Sequence, residues 1–124
     1  SDVTIVSYGK MMKVIIDAKN KLNNENISPE LIDLRTLRPI DYDLIIESVK
    51  KTNRLIIVEE SWPLASISSE ISYKIQKDAF DFLDAPIQRI CSADTPMAYS
   101  PTLVKEFLPS ANDVIEKTKA IMYL

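Results

Sequence analysis

Histidine is absent from this sequence, and glycine and cysteine each occur once, as Gly9 and Cys91. Without histidine the chain cannot by itself build a Ser-His-Asp or Cys-His nucleophile system, and it lacks the commonest general base and metal ligand. A single glycine permits neither a Walker phosphate loop nor a dinucleotide-binding fingerprint. A single cysteine excludes an internal disulfide and a cysteine metal cluster, and its apolar-alternating context predicts a small buried hydrophobe.

Basic clusters and long apolar runs are also missing. The net charge of -3 argues against a nucleic-acid-binding surface. No apolar run reaches membrane-spanning length, and there is no signal-peptide pattern. We therefore expect neither nucleic acid nor a membrane as a partner. A length of 124 residues with 46% hydrophobic content fits one domain, residues 1–124, with its own core.

The strongest pattern that is present covers residues 54–63. Four consecutive apolar residues, 55–58, are followed by two glutamates, a serine, a tryptophan and a proline. Alternate side chains of a strand point to opposite faces, so both faces of this strand are apolar and both must be covered. This is typical of a central strand in a parallel sheet with helices on each side.

Strand and helix patterns alternate along the rest of the chain. Strands are predicted at 2–7, 30–35, 55–58 and 87–91, and helices at about 10–23, 42–51, 64–76, 100–107 and 111–122. Residues 78–84 are either a last helical turn or a short surface excursion. The alternation predicts an α/β fold with three αβα layers, a mostly parallel sheet and the strand order 2-1-3-4.

In such a sheet, ligands bind at the carboxyl ends of the strands where the strand order switches. Glu59 and Glu60 follow the central strand at this point, but neighbours on a strand point to opposite faces and would not cooperate as acid and base. We interpret them as a strand end that meets solvent or a partner chain. Trp62 beside them is either core or interface.

Charged residues also follow the second strand. Arg35 and Arg38, with Asp33 and Asp41, form either a local salt-bridge and capping network or a subunit contact. From the residues alone, the chain is an α/β domain without a self-sufficient active site, so its chemistry must be supplied from elsewhere.

Three stretches, 33–41, 51–63 and 80–86 with 93–99, resemble the C-terminal domain of pyruvate dehydrogenase beta subunits, within the transketolase C-terminal domain family. The resemblance runs essentially end to end, and residues 38–41 and 58–63 are more similar to pyruvate dehydrogenase than to the branched-chain 2-oxoacid or acetoin dehydrogenases. Ser61 and Ser68 depart from the pattern, because the family often has glycine there. A free-standing binding module of the same fold is the other reading.

The resemblance implies a domain excised from a longer subunit, with a fifth, antiparallel edge strand upstream of Ser1. It implies an alpha–beta heterotetramer, containing a second beta subunit, that decarboxylates pyruvate on thiamine diphosphate and magnesium and acetylates lipoyl-lysine. The cofactor- and metal-binding residues of the family belong to the alpha subunit and the N-terminal half of beta. None of them, and no catalytic residue, maps onto this chain, which we expect to be inactive alone.

The roles implied for this domain are subunit contact and docking of the subunit-binding domain of dihydrolipoyl acetyltransferase, which is basic. Asp84 and the terminal carboxylate of Leu124 are the candidate docking groups, although Asp84 could be only a turn residue before Pro86. The candidate subunit contacts are Glu59, Glu60, Trp62, Arg35 and Arg38. The implied location is the bacterial cytoplasm or the mitochondrial matrix.

Overall fold

The computed structural model describes residues 1–61, 66–92 and 108–124. Strands and helices alternate along these residues. In chain order they are β1 (Val3–Ser7), α1 (Met11–Asn24), β2 (Pro29–Asp33), α2 (Tyr42–Thr52), β3 (Leu55–Val58), α3 (Ile67–Ala79), a 3-10 turn (Phe80–Phe82), β4 (Gln88–Ile90) and α4 (Ala111–Ile121). The helix predicted at 100–107 lies outside the described residues.

The four strands form one parallel sheet in the order β2-β1-β3-β4. This confirms the predicted order and places β1 and β3 in the middle. Parallel neighbours require crossover connections, which the intervening helices provide. Ser7 at the end of β1 pairs with Val58 at the end of β3, so the segments that follow both strands leave the same edge of the sheet.

Each face of the sheet carries its own hydrophobic core. One core joins Val3, Ile5, Ile56 and Val58 to α1 and α4, and the other joins Val6, Leu55 and Ile57 to α2 and α3. The alternation predicted for β1 and β3 is therefore confirmed, and the fold has three layers. Because all four side chains of β3 are fully buried, this strand takes part in both cores.

The start of α2 follows the sequence prediction, but its buried stripe differs. The carboxylate of Asp41 accepts a hydrogen bond from the backbone N–H of Leu44 at 3.1 Å, which confirms Asp41 as the N-cap. The apolar pattern of this helix would place Leu44 with its buried residues, but the side chain of Leu44 is 48% exposed. The 3.6-residue period instead turns Ile45 and Val49 toward the sheet.

The remaining element boundaries shift slightly. α3 begins at Ile67 rather than near residue 64, since the extended residue Ser66 is its N-cap and accepts from the N–H of Ser69. It then continues into the 3-10 turn, so residues 78–82 are a last helical turn. Both edge strands are shorter than predicted. None of the described helices has the length and apolarity that crossing a membrane requires.

Candidate functional site

Glu59, the first residue after β3, turns its carboxylate into the protein and is fully buried. Its backbone N–H donates to the carbonyl of Ile90 at 3.0 Å. The carboxylate accepts a hydrogen bond from the Tyr8 hydroxyl at 2.8 Å and from the backbone N–H of Ser68, which lies 3.2 Å from both oxygens. The Cys91 thiol is 3.7 Å away. One carboxylate therefore joins the segments after β1, β3 and β4 to the start of α3.

The surroundings of this carboxylate favour its charged form. Burial by itself raises the pKa of Glu59, but hydrogen bonds from Ser66, Ser68 and Tyr8 outweigh burial and hold the pKa below its ordinary value. Ser68 lies in the first turn of α3, where unpaired N–H groups and the helix dipole favour a negative charge. The carboxylate is therefore ionised at neutral pH.

Tyr8 and Cys91 are held in their neutral forms by the same surroundings. Burial, and then the hydrogen bond to Glu59, raise the pKa of the Tyr8 phenol. Burial is also the main cause of the raised pKa of the Cys91 thiol. Both groups therefore remain protonated at neutral pH, and the Tyr8 hydroxyl is a hydrogen-bond donor. The cluster is suited to holding four chain segments together rather than to exchanging protons with a substrate.

The two neighbouring glutamates diverge as strand geometry predicts, since Glu60 is exposed while Glu59 is buried. We expected Glu59 to meet solvent or a partner chain. Its side chain is instead enclosed, because the first turn of α3 supplies the N–H donor that a buried carboxylate needs. Cys91 also differs from the small buried hydrophobe that we predicted, since it is partly exposed and borders the charged group. No sequence pattern indicated that the backbone of Ser68 would bind this carboxylate.

The amino-terminal end of the sheet carries the second candidate site, around Asp84. The backbone N–H of Asp84 donates to the carbonyl of Asn53 at 2.8 Å. The side-chain amide of Asn53 donates to the carbonyl of Phe82 at 2.7 Å. The Tyr123 hydroxyl donates to the carbonyl of Asp84 at 3.3 Å, so the residue before Leu124 contacts Asp84. The two residues predicted as docking groups thus lie on adjoining segments.

Exposed apolar side chains and a groove surround Asp84. Phe80, Phe82, Tyr123 and Leu124 are all exposed, and Leu124 keeps 75% of its surface accessible. The groove has a volume of about 500 Å³, and its lining includes Gln76, Phe80, Leu83, Asp84, Pro86 and Arg89. A negatively charged side chain beside exposed aromatic groups fits a protein-binding surface, where aromatic residues are enriched.

The other predicted contacts lie elsewhere. Arg35 and Arg38 are exposed in the loop between β2 and α2. Within residues 1–61, 66–92 and 108–124, no ion pair joins either arginine to Asp33 or Asp41. The capping half of the predicted network is therefore confirmed and the salt-bridge half is wrong. Trp62 lies outside the described residues.

Fold and site together define an α/β domain. The carboxylate of Glu59, at the carboxyl end of β3, is enclosed, and the exposed groups of the domain suit contact with other chains. Residues 1–114 match the family described as the transketolase C-terminal domain. The chain therefore belongs to the transketolase C-terminal domain family.

Several similar relatives are described as beta subunits of the pyruvate dehydrogenase E1 component. The chain is 50% identical over 123 residues to that of Rickettsia felis, 46% over 122 residues to that of Rhizobium meliloti, and 43% over 120 residues to the mitochondrial one of Dictyostelium discoideum. These alignments cover 97–99% of this chain. The chain spans only 38%, 26% and 34% of these relatives' lengths, in their C-terminal part.

Solved structures agree with the fold. A split-gene transketolase, described as an inactive beta4 tetramer, superimposes with a TM-score of 0.86 at 25% identity and covers 99% of this chain and 40% of its own. The 2-oxoglutarate:ferredoxin oxidoreductase of Magnetococcus marinus has a TM-score of 0.67 at 14% identity, covering 98% of this chain and 18% of its own, and agrees in fold alone.

Replacing Glu59 tests the buried carboxylate. At pH 7, Glu59→Gln should lower the free energy of unfolding by about 1–3 kcal/mol, because hydrogen bonds to a charged group are lost. The folded-state pKa of Glu59 lies below the ordinary value of 4.5. The stabilisation is therefore complete above the unfolded-state pKa and disappears as the pH falls through the folded-state pKa.

Urea unfolding at pH 7, 5 and 3.5 measures this difference, which should shrink at the lowest pH. The exposed neighbour provides the control, Glu60→Gln, which should change stability by less than about 0.5 kcal/mol. An equal effect of both substitutions at pH 7 would contradict the assignment.

Proposed function

We propose that this chain is the C-terminal domain of the beta subunit of a thiamine diphosphate-dependent pyruvate dehydrogenase. The whole enzyme would decarboxylate pyruvate oxidatively and acetylate lipoyl-lysine. The observation that carries this proposal is the 50% identity over 123 residues to a pyruvate dehydrogenase beta subunit. Within that longer subunit, residues 1–124 would form one domain that assembles subunits and docks the acetyltransferase.

The cofactor would be held elsewhere, by the alpha subunit and the N-terminal half of beta. The described residues of this chain do not fit thiamine diphosphate and magnesium. They contain no group of three or more side chains that could hold a metal ion, and the chain has no histidine. The buried carboxylate at the switch point, Glu59, is already occupied by Tyr8 and the start of α3. We therefore assign no step of the reaction to residues of this domain.

Docking of the basic subunit-binding domain of dihydrolipoyl acetyltransferase would use the surface around Asp84. In the part of the chain that the structure describes, the carboxylate of Asp84 makes no hydrogen bond or ion pair, and the residue is exposed. Tyr123, bonded to the backbone of Asp84, brings the C-terminal segment to the same surface. Charge pairs in such an interface chiefly provide steering and specificity.

Contacts with the alpha subunit and the second beta subunit would involve Glu60, Trp62, Arg35 and Arg38. The exposure of Glu60 and of both arginines is compatible with this role. The side chain of Glu59 would contribute indirectly, by holding the strand end in place. Relatives carry both bacterial and mitochondrial descriptions, so the enzyme would work in the bacterial cytoplasm or the mitochondrial matrix.

Reconstitution tests the proposed activity. The full-length subunit, combined with its alpha partner, should decarboxylate pyruvate in a thiamine diphosphate-dependent manner, and should prefer pyruvate to branched-chain 2-oxoacids and acetoin. The 124-residue chain alone should be inactive and should show no thermal shift with thiamine diphosphate and magnesium. A preference for another substrate would overturn the assignment to pyruvate. A clear thermal shift of the isolated chain would overturn placement of the cofactor elsewhere.

A charge reversal tests the docking surface. In the assembled enzyme, Asp84→Lys should weaken binding of the acetyltransferase subunit-binding domain at least tenfold, because a basic partner would meet a like charge. Isothermal titration calorimetry measures the affinity. Asp81→Lys is the matched control, since Asp81 is an exposed aspartate in the adjacent 3-10 turn and does not line the groove. Unchanged affinity of Asp84→Lys would remove Asp84 from the docking site.

A further inference from the structure

Asn53 lies between α2 and β3 and makes two hydrogen bonds to the segment that carries Asp84. Its side-chain amide donates to the carbonyl of Phe82 at 2.7 Å, and its own carbonyl accepts from the N–H of Asp84 at 2.8 Å. Its backbone N–H donates to Val49 at the end of α2 at 2.7 Å. One residue thus connects the end of α2 to both residues that flank position 83.

The left-handed backbone at position 53, with φ of 63°, explains only in part why asparagine is suited to this position. Residues that follow a helix often adopt this conformation, and glycine adopts it more readily than asparagine. Asn26, after α1, has the same φ of 63°, but among the hydrogen bonds of the described residues its side chain makes none to the Asp84 segment. The feature that sets Asn53 apart is its side-chain amide bonded to the carbonyl of Phe82.

The next residue, Arg54, is hydrogen-bonded to the C-terminal segment, which forms the other part of the same surface. Its Nε donates to the carbonyl of Ile121 at the end of α4, at 3.2 Å. Tyr123 follows that carbonyl and donates its hydroxyl to Asp84. Three hydrogen bonds, Asn53–Asp84, Asp84–Tyr123 and Ile121–Arg54, therefore close a ring whose remaining links are the covalent chain from Ile121 to Tyr123 and from Asn53 to Arg54. The ring holds two segments, far apart in sequence, at the start of one central strand.

We propose that Asn53 is a positioning residue for the docking surface, and that its side-chain amide sets the place of Asp84 relative to the C-terminal segment. This inference rests on the proposed docking function. Asn53 need not touch the partner, since its bonds go to the backbone of the docking segment. Removing the amide would leave the charge of Asp84 in the protein but would loosen its position.

The test uses the full-length subunit assembled with its alpha partner, and the purified acetyltransferase subunit-binding domain as the probe. Asn53→Gly keeps the left-handed backbone accessible and removes the side chain together with its amide. Asn26→Gly is the matched control, because it makes the same change at the same φ after α1.

Two quantities are measured for each variant. The first is its affinity for the acetyltransferase subunit-binding domain, by isothermal titration calorimetry. The second is its rate of pyruvate decarboxylation with a small-molecule electron acceptor, a reaction that needs no docking. Asn53→Gly should weaken binding about three- to tenfold, the range expected for loss of one neutral hydrogen bond. Decarboxylation should stay unchanged in all variants, and Asn26→Gly should bind like the unaltered enzyme. If Asn53→Gly leaves the affinity unchanged, or if Asn26→Gly lowers it equally, this inference alone is overturned. Absence of binding by the unaltered enzyme would overturn the docking function as well.

Discussion

The side chains of β3 meet both hydrophobic cores, and the rest of the domain depends on their burial. Leu55 and Ile57 pack on the α2 and α3 side, and Ile56 and Val58 pack on the α1 and α4 side. Removing these four side chains from water contributes roughly 6–12 kcal/mol, which is comparable with the net stability of a whole domain, about 5–15 kcal/mol. β3, a strand of four residues, thus packs against both helix layers, as its neighbour β1 also does.

The two ends of the buried strand β3 contact different parts of the domain. At the carboxyl end, the carboxylate of Glu59 accepts hydrogen bonds from Tyr8 and from the first turn of α3, at the edge where sheets of this kind bind ligands. At the amino end, Asn53 and Arg54 hold Asp84 and the C-terminal segment in an exposed arrangement. The amino end of β3 thus supports an exposed, hydrogen-bonded surface on which the proposed docking function depends.

The sequence predicted the fold well because burial of alternating side chains is a local pattern. The faces of β3 and the N-cap Asp41 follow from residues adjacent in sequence, and the strand order follows from the alternation of strands and helices along the chain. Inferences about which individual side chains meet in the tertiary fold failed. The alternation of side chains along a strand shows that Glu59 and Glu60 point in opposite directions. It cannot show which of the two carboxylates binds the N-terminus of α3. Leu44 satisfies the apolar pattern of α2, and only the packing of that helix on the sheet shows that it is exposed.

The proposed docking surface illustrates the same limit. Asp84 and Leu124 were identified by resemblance, while no sequence pattern pointed to Asn53. Its bonds to residues 82 and 84 cross about thirty positions and arise from the tertiary fold.

Hydrogen–deuterium exchange of the assembled enzyme, with and without the acetyltransferase subunit-binding domain, tests most directly whether the amino end of β3 is the docking surface. We expect slower exchange of the amides at 82–85 and 122–124 in the complex, and no change at 7–10 and 59–61. Protection at 7–10 and 59–61 without protection at 82–85 would contradict this expectation.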